Sequence, residues 1–483
     1  MRTSVEAERR RVVTPAAARL FPPRPARGIG EGPWAGTVAR YGKGVTDSAL
    51  EPTAADEAAP TDAEQPAAAA PPAPEPAPAG PEPKPLLSPR EGVPEVIATA
   101  EGLAAAVARF AAGSGAVAVD AERASGFRYG QRAYLVQLRR EGAGTALIDP
   151  TACPDLSELA AALADTEWVL HAASQDLPCL RELNFTPQRL FDTELGGRLA
   201  GYPRVGLGPM IEDLLGYHLE KGHSADDWST RPLPESWLKY AALDVELLVD
   251  LRDAVHDELE SQGKLDWALQ EFEAVRTAPP PEPRAEPWRR TSGVHRVRKA
   301  RNLAVVRALW ERRDELARRR DMAPGRVLPD TAIVEAAARL PKTVHELRAV
   351  PGFSGRTRSA DAVGYFAVLE AALALPDRDL PHHPPRTDAP PPAKSWDRSD
   401  PEAAARLAVA RPAVTAIADE HRVPTENLLL PDLVRRLCWA PPTDLDDATV
   451  ADFLRTGGAR PWQIDLTAHV LGAALRRAEA HTV

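Results

Sequence analysis

Large apolar side chains are almost absent from about Thr46 to Pro89 of this chain and recur at regular spacings after Val93. The first apolar run, Ala116 to Val119, stops at Asp120. A second, Tyr134 to Leu138, and a third, Ala146 to Ile148, follow with turn residues between them. Short runs separated in this way predict an antiparallel meander. Leu156 to Leu163 then carries apolar residues at helical spacing, Trp168 to Leu170 reads as a fourth strand, and Gln175 to Leu183 as a helix. From there to about Phe272 the pattern is mostly helical. Strands first in a meander and then alternating with helices indicate an α/β domain with a mixed sheet, spanning residues 91–275.

The stretch from Thr46 to Pro89, which includes EQPAAAAPPAPEPAPAGPEPKP, cannot bury enough apolar surface to offset the entropy of ordering it. Residues 1–90 are therefore expected to form a disordered tail. Two further proline-rich segments, 276–296 and 377–398, read as linkers. They bracket a helical segment at 297–376 and leave another at 399–483, and the two look like copies of one unit. VLPD at Val327 to Asp330 precedes an apolar helix and then TVHELRAVPGFSGR. LLPD at Leu429 to Asp432 precedes LVRRLCWAPP and then TVADFLRTGGARPW. In both, proline is expected in the first helical turn, where its missing N–H costs little. Duplication is the economical reading.

Charge refines this division. The 483 residues carry 59 Lys and Arg against 69 Asp and Glu, a formal net charge of −10. Between Arg284 and Arg320, however, thirteen Lys/Arg face four Asp/Glu. A basic arm next to an acidic domain suits a protein that handles nucleic acid, although such a run by itself also describes a solvated helix face. Cys153, Cys179 and Cys438 have no CxxC spacing, so neither a disulfide framework nor a zinc site is expected. No apolar stretch approaches the ~20 residues of a membrane span. The arginines among the first 27 residues resemble a transit peptide, but Pro22, Pro23 and Pro25 interrupt any amphipathic helix, and a cytoplasmic protein is expected.

The candidate chemistry lies in three segments. Asp120 and Glu122, in GAVAVDAE, are two apart at a strand end and so project to one face. Asp176, in LHAASQDL, falls in the first turn of a helix that Ser174 is placed to cap. Tyr240 and Asp244, in KYAALDVEL, share a helix face one turn apart. Each has an ordinary structural explanation when taken alone. Together they offer the oxygen donors that Mg²⁺ or Mn²⁺ prefers.

These motifs, with DWSTRPL (Asp227 to Leu233) before the last, resemble the DEDD exonuclease superfamily, and the domain is most similar to the ribonuclease D family. The Tyr-x-x-x-Asp spacing identifies the tyrosine subclass. The segment from Val297 to Leu375 resembles the HRDC domain, and the last segment is weakly similar to a second copy. The resemblance implies a ribonuclease H-like mixed-sheet exonuclease domain followed by two small all-α HRDC-like bundles. It implies Asp120, Glu122, Asp176, Tyr240 and Asp244 as catalytic residues, with the four acids holding two divalent cations, Mg²⁺ or Mn²⁺. It also implies 3′→5′ hydrolysis of RNA, such as tRNA precursors or other structured 3′ ends, with no obligate protein partner. No GxxxxGK[ST] phosphate loop occurs, which excludes a helicase.

Weaker nucleic-acid contacts are expected at His171, Gln175, Trp228 and Arg231, and at Arg356 and Arg358 in the loop PGFSGRTR. His171 is equally explained as a structural hydrogen-bonder, and Arg231 with Trp228 as a brace for the chain entering the Tyr240 helix. Asp192 is read as a helix cap rather than a fifth ligand. A DNA exonuclease of the same superfamily and a catalytically inactive RNA-binding adaptor are the alternatives. The intact set of like charges argues against the adaptor.

Overall fold

In the computed structural model, the described residues are 82–480 except 221, 224, 281, 355–358 and 383–388. Most of the expected tail, residues 1–81, lies outside them. The part that is described begins earlier than expected: β1 (Lys84–Leu86) pairs in parallel with β8 (Tyr217–Leu219). Backbone pairing of this kind requires no large apolar side chains, so composition gave no sign of it.

A six-stranded sheet in the order β2-β5-β4-β3-β6-β7 forms the centre of the first domain. Its strands are β2 (Val96–Ile97), β3 (Ser114–Arg123), β4 (Ala133–Glu141), β5 (Gly144–Ile148), β6 (Glu167–Leu170) and β7 (Arg189–Asp192). The antiparallel meander is β3-β4-β5, and β6 and β7 continue from β3 in parallel. Val117, Ala118 and Val119 of β3 are fully buried, as a central strand covered on both faces requires. The sheet is thus mixed, as expected. The short strands β2 and β7 escaped the sequence pattern, being two and four residues long.

One face of the sheet is covered by α1 (Ala100–Ala112), α2 (Ser157–Ala162) and α3 (Leu177–Arg181). Phe110, Leu159, Trp168, Leu180 and Phe185 form its core, with the Trp168 and Phe185 rings 4.2 Å apart. Thr99 starts α1 by accepting the Gly102 amide at 3.1 Å. The other face carries α4 (Thr193–Ala200), α5 (Leu207–Leu215), α6 (Glu235–Glu246), α7 (Leu248–Ser261) and α8 (Leu265–Thr277). Val169, Phe191, Leu251, Val255 and Phe272 pack there, while Leu135 and Leu147 of the sheet pack against Ala241 and Ala242 of α6.

The first helical bundle comprises α9 (Ala300–Arg320), α10 (Pro324–Val327), α11 (Asp330–Arg339), α12 (Val344–Arg348) and α13 (Ser359–Leu373). The second comprises α14 (Trp396–Ser399), α15 (Pro401–Glu420), α16 (Thr425–Leu428), α17 (Pro431–Trp439), α18 (Asp447–Thr456) and α19 (Pro461–Ala480). From α9 and from α15 a similar order runs: a long helix, one turn, two helices of ten residues or fewer, and a long one. Pro431 opens α17 from its first turn, whereas Pro329 sits one position earlier, as the cap residue of α11.

Both linkers are shorter than composition suggested. Trp288 is buried in the first bundle's core, and Trp396 is fully buried in the second's against Trp439. A single large aromatic anchors each proline-rich stretch to the domain that follows it.

The bundles are fixed to the first domain in different ways. The second shares its apolar core, and Gly201, at positive φ, brings the end of α4 so close to Arg422 that an added Cβ would lie 2.7 Å from that residue's carbonyl oxygen. The first bundle is held by polar contacts from the loop between β3 and β4. The Ala323 amide donates to Phe127 O at 2.9 Å, Arg326 donates to Gly126 O at 2.6 Å, and Arg132 meets Asp321 at 2.8 Å. Among the described residues no helix is long and apolar enough to cross a membrane.

Candidate active site

Asp120 and Glu122 leave the end of β3 on the same face, as two-residue spacing demands. Helix α6 crosses that end of the sheet and supplies Tyr240 and Asp244 from a single face. Asp176 comes from the turn after β6. It occupies the residue before α3 with no side-chain capping bond, so Ser174 is not the cap of this helix. A one-turn 3₁₀ helix at Ala173–Gln175 takes up the positions where a longer α-helix was expected.

Asp192 holds this turn in place. Its carboxylate caps α4 by accepting the Glu194 and Leu195 amides, and it also accepts Ala172 N at 3.0 Å and Ala173 N at 2.9 Å. It therefore fixes the backbone that presents Asp176 and is not a ligand itself.

All five residues line one cavity of about 580 Å³, together with Arg123, His171, Gln175, Leu207 and Glu220. Carboxylate oxygens of Asp120, Glu122 and Asp244 lie within 4.8 Å of one another. Such a cluster is unfavourable without a cation. Burial, and then the charges of Asp120, Asp244 and Asp176, push the Glu122 carboxyl up to about 10. Burial followed by the Asp120 charge raises both Asp176 and Asp244, and burial raises Asp120. Tyr240, hydrogen-bonded to Asp244, is held above its usual value by burial and by the charges of Asp244, Glu122 and Asp120, so its hydroxyl keeps its proton.

The expected nucleic-acid contacts divide. Gln175 is exposed on the cavity wall. His171 lines the cavity too, but its Nδ1 lies 2.9 Å from Thr193 Oγ1, and burial holds its imidazole down at about 4, hence neutral. Trp228 is fully buried, its indole N–H donating to His223 O, and cannot touch a nucleotide. Arg231 is likewise engaged, on Asp149 and on the carbonyls of Tyr134, Trp228 and Thr230. These two brace the entry to α6, and their assignment to nucleic acid is corrected. Arg356 and Arg358 lie outside the described residues. Arg123 was not anticipated: strict alternation sends it to the face opposite Glu122, yet it lines the cavity.

A larger cavity, about 790 Å³, opens at the other end of β3, between Arg90, Arg139, Arg252 and Glu246. It contains none of the five residues, and size alone does not locate the chemistry.

A mixed sheet whose central strand ends in two acids, with a third from the next turn and a Tyr/Asp pair from a crossing helix, defines a 3′→5′ exonuclease of the DEDD superfamily. Residues 94–260 match the family model described as 3'-5' exonuclease, 302–362 the HRDC domain, and 389–475 the 3' to 5' exonuclease C-terminal domain. The chain is 32% identical to ribonuclease D of Gluconacetobacter diazotrophicus over 362 residues, covering 73% of this chain and 88% of that protein. It is 33% identical to ribonuclease D of Escherichia coli over 274 residues, covering 55% and 72%. Among solved structures, a protein from Bifidobacterium adolescentis is 40% identical with a TM-score of 0.77, covering 82% of this chain and 100% of that one. Escherichia coli RNase D, an exoribonuclease involved in structured RNA processing, is 27% identical with a TM-score of 0.59, covering 79% of this chain and 98% of that one. The chain belongs to the ribonuclease D family and is a 3′→5′ exoribonuclease.

Proposed function

We propose that this enzyme trims structured RNA, such as tRNA precursors, from the 3′ end at the cavity between β3, α6 and the Asp176 turn. The observation that carries this is the convergence of Asp120, Glu122, Asp176 and Asp244 with Tyr240 on one cavity wall. The donor set fits divalent cations: the oxygens are hard, clustered and mutually repelling without one. Asp120, Glu122 and Asp244 would hold one Mg²⁺ or Mn²⁺, and Asp120 with Asp176 a second. Bound there, two cations would activate a water and stabilise the charge that develops on the leaving 3′ oxygen.

The chain's own residues do the rest. Tyr240, protonated, orients the attacking water through its hydroxyl rather than acting as a base. Gln175 borders the space where the terminal nucleotide would lie. The HRDC bundle, anchored on the loop that leaves the site, would carry the upstream RNA. The last bundle we read as a second, divergent HRDC copy, supported by its repeated helix order.

The experiment is a time course on 5′-labelled RNA and matched DNA, each with a structured 5′ body and a single-stranded 3′ tail, in Mg²⁺ and in chelator. Stepwise loss of RNA nucleotides from the 3′ end in Mg²⁺ alone is expected. Equal or faster degradation of DNA, or trimming that persists in Asp120→Asn, would overturn the reading.

A further inference from the structure

Arg123 occupies an unusual position. Among the described residues lining the cavity it is the one Lys or Arg, and it shares that lining with five acidic residues, Asp120, Glu122, Asp176, Asp244 and Glu220. It reaches them from the last residue of β3. Glu122 pairs with Leu135 and Arg123 with Ala133, so the β3–β4 register slips by a residue there, with Tyr134 of β4 as the extra one. The alternation of β3 itself is kept, and Arg123 comes off the end of the strand on the side where Asp176 precedes α3. Its guanidinium lines the cavity from there.

Once there it is under-used. Its partner among the described residues is Asp176, with Nη2 to Oδ1 at 3.6 Å, an ion pair beyond hydrogen-bond reach. Its side chain is 27% exposed. Other arginines near the site show the contrast, since Arg231 is satisfied by a carboxylate and three carbonyls. Five N–H donors in a planar fork, with no close acceptor, match the paired non-bridging oxygens of a phosphodiester.

We infer that Arg123 is a substrate-binding residue, which holds Asp176 loosely in the free enzyme and grips the phosphate at the 3′-terminal linkage of the bound RNA. This rests on the nuclease reading above. The requirement is electrostatic: a phosphodiester entering a wall of carboxylates is repelled. A fixed guanidinium offsets that repulsion and orients the linkage, which a mobile ion on its own does not.

The test compares wild type with Arg123→Ala and Arg123→Lys on two RNAs. They are identical except that the 3′-terminal linkage of one is an uncharged methylphosphonate. Binding is measured by fluorescence anisotropy across a salt series, with Ca²⁺ in place of Mg²⁺ to slow cleavage. For the natural RNA, Arg123→Ala is expected to weaken affinity about 10-fold and to reduce the slope of log K against log salt by about 0.7, one phosphate contact on a single strand. Arg123→Lys recovers part of the affinity, and on the methylphosphonate RNA wild type and Arg123→Ala bind alike. In turnover with Mg²⁺ the loss appears in KM more than in kcat.

Unchanged affinity and slope in Arg123→Ala, or an equal loss on both RNAs, would leave Arg123 as a mere counter-ion of Asp176 and overturn the inference. If wild type itself fails to trim the natural RNA, the nuclease reading falls as well, and the two failures are thereby told apart.

Discussion

Arg231 and Asp149 form a two-pronged ion pair, with Nε to Oδ2 at 2.7 Å and Nη2 to Oδ1 at 2.8 Å. The pair joins the segment entering α6 to the turn after β5, and Arg231 also ties that segment to β4 through Tyr134 O at 2.7 Å. Asp149 is nearly buried, and although burial alone would raise its carboxyl, the bonds from Arg231 and Thr151 outweigh this and hold it below the usual range. Arg231→Ala leaves that carboxylate without its counter-charge. The expected cost is about 2–3 kcal/mol, somewhat less than for a fully buried pair because Arg231 is partly exposed. Urea unfolding measures it. The salt dependence of RNA binding should not change, in contrast to that of Arg123→Ala.

Tyr240→Phe removes one hydroxyl and leaves the ring in its packing. The ring sits beside Trp228 and His223, with centroids 6.4 Å and 5.8 Å away, so the variant should fold normally. Cleavage is expected to fall about 100-fold or more, in kcat rather than KM, if the hydroxyl orients the water. RNA affinity should stay within a factor of about 2, well inside the range that hydrogen-bond loss at a binding contact would exceed. Single-turnover kinetics beside anisotropy separates the two effects.

Much of the site was legible in the sequence because its residues obey simple periods. Asp120 and Glu122 follow the two-residue repeat of a strand, and Tyr240 and Asp244 the turn of a helix. Arg123 was not legible, because alternation assigns it to the face opposite Glu122, and only its place at the very end of β3, beside the Asp176 turn, lets the side chain line the same cavity. Arg231 and Trp228 misled for the opposite reason. They flank the site in sequence, but tertiary packing engages Arg231 with Asp149, 82 residues away, and buries Trp228 completely. In the fold, the long apolar strands were evident, whereas β1 and β2 are held by backbone pairing over three and two residues, which leaves little trace in side-chain pattern.

The raised carboxyls predict how stability depends on divalent cations. A carboxyl whose folded value lies above its unfolded one binds more protons in the native state, so these groups lower stability as pH rises past about 4. Mg²⁺ or Mn²⁺ at about 100 times its Kd should add about 2.7 kcal/mol, read as a rise in Tm in calorimetry. Asp244→Asn removes one of the repelling charges. It should melt no lower than wild type in chelator and gain little from the metal. A wild-type Tm indifferent to both cations would contradict the placement of a metal site here.

His171 acts in the other direction. Burial depresses its imidazole to about 4, opposed by a hydrogen bond to the Val205 backbone and aided by the Arg198 charge on α4. The unfolded chain takes up a proton near pH 6.5 that the native state refuses. The contribution of His171 is thus whole above pH 6.5 and is lost as pH falls toward 4, by at most about 3 kcal/mol. In His171→Gln the stability difference between pH 7 and pH 4.5 should shift in the stabilising sense at the acid end. Matched urea titrations of both proteins at the two pH values would show it, and parallel curves would refute it.

Within the shared apolar core, one buried acid ties the second bundle to α8. Glu271 of α8, 5% exposed, accepts the Trp462 indole N–H at 2.9 Å through Oε1 and Arg460 Nη2 at 2.7 Å through Oε2. Trp267 stacks on Trp462 with centroids 5.0 Å apart and planes 14° from parallel. Removing the indole therefore opens a cavity, deprives a buried carboxylate of a donor and breaks the stack at once. Trp462→Ala should cost about 3–5 kcal/mol. Since the five cavity residues lie on other elements, the chemistry should survive while the bundle loosens. Limited proteolysis is expected to cut within residues 389–400 faster in this variant, with kcat on a short single-stranded RNA unchanged. If kcat fell in step with the proteolysis rate, docking of this bundle would be part of how the site is built, and the domains could not be treated as separate.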